Sequence, residues 1–465
     1  MTGVAATASG TAPPIDPAVV DEAAPRRLTV APATMVNVLC MIGVGPFITM
    51  PLLLQALPGP QAMLGWLLGA VIALADGLVW AELGAAFPRS GAGYRYLLEA
   101  YGPHGPGRLM SFLYLWANVV TGPFLIASGA IGFAQYAAYL APGMTPVETK
   151  LIAMAACGVA AALVYRRIDR IGRWAALFAA LVLVAIGWLV LEGVMHGHSA
   201  NLVPAPGAFR PSPGLWTGLG AATLYAIYDY GGYSTVCLVG AEVVRPATTI
   251  PRAVVIAILI VAGLYVSMNL AVMAAVPWRE IAASRFIASN LVSRFEGRTA
   301  GVVMTLLILA STLAGLFGNV LGISRVPYAA ASEGHFFKPF ARLNRGGEFP
   351  GFSVIFAGVM SAACCLLDLE QVIKAFLVAS VITGSLAVVA APALLRRLRP
   401  DVRRPFRMWL YPLPMLIAAC GWIYIVATSG WPYILGGFGA LAVGVLAYLW
   451  SAGRTAQWPF AAAKP

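Results

Sequence analysis

The chain has 465 residues, of which 60% are hydrophobic and only 10% charged, with a mean hydropathy of +0.82. A soluble domain carries about 25% charged residues, so the composition excludes one. The ten-residue alternation of barrel strands is absent too, which leaves an all-α integral membrane protein. The net charge of +12 gathers in particular loops, which sets nucleic-acid binding aside and speaks of membrane topology. At about 20 apolar residues and a short loop per span, about twelve transmembrane helices fit.

Residues 1–31 mix Pro, Asp, Glu and small residues without the basic start and apolar core of a signal peptide, and read as a disordered cytoplasmic tail. The first span, 32–57, carries MIGVGPF at its middle. Gly43, Gly45 and Pro46 interrupt its ladder, because proline donates no N–H and clashes with the preceding turn. The second span, 63–87, contains Asp76 and Glu82 and runs into PRSGAGYRYLLEAYG, a glycine-containing loop with a short amphipathic stretch. Spans at 107–140, with Asn118 inside, and at 148–165 come next; the basic loop RRIDRIGR then leads to a fifth at 174–195.

A polar, proline-rich connection, 196–213, precedes YAIYDYGGYSTVCLVGAEVVRPATTIPR, residues 225–252. Its apolar lead-in from Leu215 is halted by Gly231 and Gly232, which cost a helix backbone entropy. Just before the break stands Asp229. An acid at membrane depth costs roughly 2.5 to 3.5 kcal/mol on insertion scales, so it must face a cavity, water or a partner. With Tyr225, Tyr228, Tyr230 and Tyr233 around it, the break reads as a small-molecule site. A seventh span, 250–276, precedes WREIAASRFIASNLVSRF, too polar to cross and expected over the outer mouth. Spans at 301–323, 352–367, 372–395, 408–429 and 431–450 complete the twelve, with basic loops at 324–350 and around RRLRPDVRRPFR.

With the N-terminal tail cytoplasmic, the outer face keeps only Lys150, Arg210, Arg279, Arg285, Arg294, Arg298 and Lys374 of the 30 basic residues, which places both termini inside. Cys40, Cys157, Cys237, Cys364, Cys365 and Cys420 sit in apolar runs without ligand spacing and read as small buried hydrophobes. His196 and His198 read as a solvated loop pair with no third metal ligand nearby; no metal or cofactor is expected. Nothing in the sequence speaks to oligomeric state. Spans one and six are both interrupted by glycines, five helices apart, and an odd offset means that two halves enter the membrane from opposite sides. Paired broken helices in inverted halves point to a transporter's central site.

At these residues the chain resembles the amino acid/polyamine/organocation superfamily. GVGPF, 43–47, resembles that family's first-helix glycine motif; AELGAAFPRSGAGYRYL, 81–97, is similar to its second-helix and loop signature. GYSTVCLVGAEVVRPATTIPRA, 232–253, resembles the sixth-helix signature, and SRVPYAAASEGHF, 324–336, the loop after the eighth helix. The resemblance implies a five-plus-five inverted repeat, with a core over 32–400 (repeats 32–196 and 214–396), two further helices over 401–452 and a cytoplasmic tail from 453. It implies an amino acid permease of the cell membrane working by alternating access, with a proton or sodium ion as coupling partner. An amine carrier or exchanger on the same fold is the rival reading, and a non-transporting nutrient sensor a more distant one. A membrane enzyme is disfavoured because no nucleophile and base cluster.

The substrate site is expected at Gly43, Val44, Gly45, Pro46 and Phe47 with Tyr228, Asp229, Gly231, Gly232 and Ser234. Amides freed from Val44 to Phe47 suit a carboxylate, and carbonyls freed at Tyr228 to Gly231 suit an ammonium group. Tyr228 matches the position of the family's aromatic gate. Ser234 stands where carriers of basic substrates often have an acid, which weakens a cationic reading unless Asp229 substitutes. Glu82 and Glu242 are expected to pair with loop arginines such as Arg89, Arg95 or Arg252, and Asp76 has no evident partner. Asp229 or Asp76 would carry a coupled proton. Ser311 and Thr312 could serve a sodium ion, though back-bonding to the preceding turn is the commoner use of such a pair.

Overall fold

The computed structural model describes residues 26–88, 93–165, 171–343, 350–455 and 458–460, the side chains of 171–179 and 455 excepted. Much of the expected terminal tail, and Arg89, lie outside them. The described residues form helices joined by short connections, without a β-strand among them.

The first span is two helices, α1 (Val30–Met41) and α2 (Gly45–Ala56), bent by 53° at the break. Pro46 in the first turn of α2 explains the restart, since its missing N–H is one that a helix start leaves unbonded anyway. Next come α3 (Met63–Ala86), the amphipathic α4 (Gly93–Tyr101), α5 (Pro106–Leu140), α6 (Pro146–Tyr165) and α7 (Ile171–His196). The sixth span is α8 (Pro213–Tyr230), begun by Ser212 accepting the Leu215 amide at 3.1 Å, and one turn, α9 (Thr235–Leu238), beyond the break. Then follow α10 (Pro246–Ala275), the short α11 (Trp278–Ala283) and α12 (Ile287–Glu296), and α13 (Arg298–Ser332). The chain closes with α14 (Gly351–Cys364), α15 (Leu369–Ser380) running through a π-helical turn at Val381–Ser385 into α16 (Leu386–Leu398), α17 (Leu413–Thr428) and α18 (Trp431–Thr455).

Among the described residues, seven helices are long and apolar enough to cross a membrane, and the bent pair α1/α2 makes an eighth. Ala180–His196, α14 and α17 are apolar but shorter. The expected twelve spans are reached if those three and the broken α8 cross as well.

Two expectations about local structure are corrected. The basic loop begins nine residues later than the sequence suggests, because α13 runs on to Ser332. Its Tyr328-Ala-Ala-Ala stretch favours helix. The end is fixed by Gly334 at φ +76°, where the His335 amide bonds Ala330 O at 2.8 Å and the Gly334 amide bonds Ala331 O at 3.1 Å. His196 is a helix end rather than a solvated loop residue, with its ring stacked on Phe295 and Nδ1 3.0 Å from Glu192.

The helices that hold the breaks are the enclosed ones. In the most apolar stretch of the second span 67% of the residues are buried, against 17% in that of the last, so the core forms around the second span and α18 lies at the margin. Small residues let α3 approach α8: a Cβ at Gly65 would stand 2.8 Å from Ala222 Cβ, and one at Gly69 3.0 Å from Ala226 Cβ. α3 also packs on α10, α2 on α8, α5 on α13 and α6 on α14.

Candidate functional site at the two helix breaks

The breaks meet. Gly232, at φ +111°, leans its Cα on the backbone of Cys40, where any Cβ would come 2.9 Å from the Cys40 carbonyl carbon and oxygen. Only glycine satisfies both that angle and that approach. On the same side Asn37 of α1, fully buried, accepts the Val236 amide at 2.8 Å and so caps α9. Nearer the N-terminus the Arg27 and Leu28 amides both donate to Glu242 O, at 2.9 and 3.0 Å, and the Val244 amide donates to Leu28 O at 2.9 Å. The two broken spans are therefore one mechanical unit.

The other halves meet as closely. Thr49 Oγ1 of α2 donates to Asp229 Oδ2 at 2.5 Å. Asp229 is 3% exposed, and its Oδ1 is buried without a hydrogen-bond partner among the described residues. That oxygen lies over Gly45, where a Cβ would overlap it and stand 3.1 Å from Asp229 Cγ and 3.7 Å from Tyr228 Cε1. Below it, the amides of Val44 and Gly45 bond no acceptor among the described residues. The Phe47 amide, expected free, instead bonds Val44 O at 3.1 Å, because the first turn of α2 is tight, and Pro46 has no N–H to offer. On the sixth span Tyr228 O accepts the Gly231 amide at 3.2 Å. The carbonyls of Asp229, Tyr230 and Gly231 follow as the orphan end of α8.

Aromatic side chains wall this space. Tyr228 shares a 2.7 Å hydrogen bond with Ser128 of α5 and meets Phe376 of α15 edge-on at 6.2 Å. Trp66, Tyr230 and Tyr265 form a cluster with centroids 5.5 to 6.0 Å apart. Tyr265 donates to Met41 O at 2.8 Å and so satisfies the end of α1; Tyr136 donates to Phe47 O at 3.2 Å. Exposure is one-sided: Cys40, Gly231 and Leu238 are exposed, whereas Gly45, Pro46, Phe47 and Asp229 are buried. Cys420 is exposed as well, so neither it nor Cys40 is the buried hydrophobe expected from its apolar run.

Asp76 and Glu82 have structural partners that were not foreseen. Asp76 accepts from Tyr233 at 2.7 Å and from Trp422 at 3.1 Å, which pins the residue just past the break to α3 and α17. Glu82 pairs not with a loop arginine but with Arg396 of α16, whose Nη2 stands 2.8 Å from both carboxylate oxygens, and it also accepts the Met408 amide at 2.8 Å. Arg95 is engaged by Glu333 at 2.7 Å instead. Glu242 is exposed, with no side-chain partner among the described residues. Ser234 is the half-buried residue before α9 and makes no side-chain cap. Ser311 and Thr312 both donate to Ile308 O, at 2.8 and 2.6 Å. No group of three His, Cys, Asp or Glu able to hold a metal exists among the described residues. An apolar cavity of about 340 Å³ between α5, Phe336–Phe340 and α14 lies away from the breaks.

Comparison with known proteins agrees with this geometry. The family described as Amino acid permease matches residues 28–450, both breaks included. The chain belongs to that family. It is 24% identical to the cationic amino acid transporter 4 of Mus musculus, over 78% of this chain and 58% of the relative. It is 28% identical to the large neutral amino acids transporter small subunit 2 of Rattus norvegicus, over 83% and 73%. It is 26% identical to the human cystine/glutamate transporter, over 91% and 84%. The chain therefore spans just over half the length of the first relative and most of the other two. Family and relatives are transporters and not enzymes.

Sequence reasoning found both breaks, Asp229 and Tyr228. It missed Asn37, Thr49, Ser128 and Tyr265, which hold the broken ends. Asn37 and Thr49 carried a usable signal, since each is a polar residue within a turn or two of an expected helix break.

Proposed function

We propose that this permease carries α-amino acids across a cell membrane by alternating access, with a proton as the coupling ion and both termini in the cytoplasm. The observation that carries this reading is the meeting of two unlike helix ends: the unbonded Val44 and Gly45 amides at the start of α2, and the orphan carbonyls of Asp229 to Gly231 at the end of α8. The first end suits a carboxylate and the second an ammonium group, held by one small zwitterion between them. The relatives are named for cationic, large neutral and cystine/glutamate substrates, whose common chemistry is the α-amino and α-carboxyl pair.

The pairing of span one with six, two with seven, three with eight and four with nine supports an inverted repeat over 32–196 and 214–396. One-sided exposure at Cys40, Gly231 and Leu238 supports a state open toward the N-terminal side. Asp229, a buried acid at the substrate end, favours the proton over sodium. The test is uptake of labelled leucine, arginine, glutamate and putrescine into proteoliposomes, with unlabelled putrescine as competitor of the amino acids. Uptake of an amino acid that putrescine leaves unchanged supports the reading; uptake of putrescine alone makes the protein an amine carrier.

A further inference from the structure

We propose that the Asp229 carboxylate and the substrate carboxylate compete for one seat, so that a zwitterion binds only with Asp229 neutralised by a proton. The inference rests on the permease reading above and adds where the proton sits and why it is required.

The seat is built from three things. The amides of Val44 and Gly45, unbonded among the described residues, lie beside it; Gly45 has no Cβ; and Asp229 Oδ1 takes up the volume that a Cβ there would enter. The carboxylate is held on one side only, by Thr49 on Oδ2, while Oδ1 is buried and unpartnered. A buried carboxylate oxygen without a partner is costly, and a proton is the smallest group that satisfies it.

No cation among the described residues competes for that role. On its own helix Asp229 is neighboured by Tyr225, Tyr228 and Tyr230; α10 contributes Tyr265, and α5 contributes Tyr136 beside α2. From α3 comes Asp76, bound by Tyr233 and Trp422, and from α15 comes Glu370, 2.6 Å from its own Lys374. No Lys, Arg or His among the described residues bonds Asp229.

A substrate carboxylate at the Val44 and Gly45 amides would therefore meet a second carboxylate. Two carboxylates sharing one site do not both ionise. Binding of the zwitterion takes up one proton onto Asp229, which travels with the substrate and leaves on the far side. Thr49 keeps its acceptor in either state, so the joint between α2 and α8 survives the exchange.

The experiment measures equilibrium binding of labelled L-leucine, L-alanine, L-arginine and L-glutamate to the full-length purified protein from pH 5 to 9. Wild type should lose affinity with rising pH, approaching about tenfold per unit at the alkaline end. Asp229→Asn should bind without pH dependence, as tightly as wild type does in acid. Proton uptake by wild type in weak buffer, near one per bound leucine at alkaline pH, tests the same point should the variant fail to fold. Affinity independent of pH with no proton taken up overturns the proposal and leaves the permease reading intact. Absence of leucine, alanine, arginine and glutamate binding at every pH overturns both. Tight putrescine binding lost in Asp229→Asn would make the acid an amine's counter-ion and overturns the proposal too.

Discussion

Thr49 and Asp229, 180 positions apart, are joined by a 2.5 Å hydrogen bond that ties the second half of one broken span to the first half of the other. The bond links α2 to α8 and holds the carboxylate with Oδ1 over Gly45. Thr49→Val should leave the protein folded and reduce uptake roughly tenfold or more, since a hydrogen bond to a charged group contributes about 1.5 to 3 kcal/mol. Thr49→Ser should restore it. Equal uptake by the valine and serine variants would show that the bond does not matter to transport.

Gly45→Ala should abolish uptake while the protein still inserts and purifies normally. Its Cβ would overlap Asp229 Oδ1 and close the carboxylate seat. Normal uptake with an unchanged KM would place the substrate elsewhere.

Gly232→Ala differs in kind, because it places a side chain at φ +111° and against the Cys40 backbone. Such strain costs about 1 to 3 kcal/mol, so loss of both thermal stability and uptake is expected. A stable, active variant would show that the breaks are not packed as described.

Glu82→Ala should lower stability by roughly 3 to 5 kcal/mol, since it leaves Arg396 and the Met408 amide without their buried acceptor. Thermal unfolding in detergent measures this. A shift no larger than that of a surface substitution would contradict the role given to Glu82.

The Arg95–Glu333 contact supplies a control for pH. Burial raises the Glu333 pKa, but His335, Tyr94 and Arg95 outweigh it and hold it at about 2. An unfolded glutamate titrates near about 4.3, so the contact's stabilisation is fully present above that pH and is lost as pH falls toward 2. Glu333→Ala should therefore reduce thermal stability and leave the shape of the uptake profile between pH 5 and 8 unaltered. A changed profile would move the titrating group away from Asp229.

Both breaks were legible because glycine and proline act locally: Gly43, Gly45 and Pro46 interrupt a helix whatever surrounds them, as do Gly231 and Gly232. Asp229 was legible because an acid is rare in an apolar run. The partners were not, since they depend on which helices become neighbours. Glu82 lies 314 positions from Arg396 and Asp76 346 from Trp422, distances at which spacing says nothing. The end of α13 was misplaced because SRVPYAAASEGHF was read by resemblance as the loop after the eighth helix, whereas the helix continues through Pro327, a proline that a packed membrane helix tolerates. The fate of the Phe47 amide was set by a single tight turn, below the resolution of pattern reasoning.

The central claim, a proton-driven amino acid permease with its site between the breaks, is tested most directly by uptake of labelled leucine and alanine into proteoliposomes under an imposed inward proton gradient. Accumulation above equilibrium that collapses when the gradient is dissipated, and that is indifferent to sodium, is the predicted result. Accumulation driven only by sodium, or exchange only against a preloaded substrate, would contradict it.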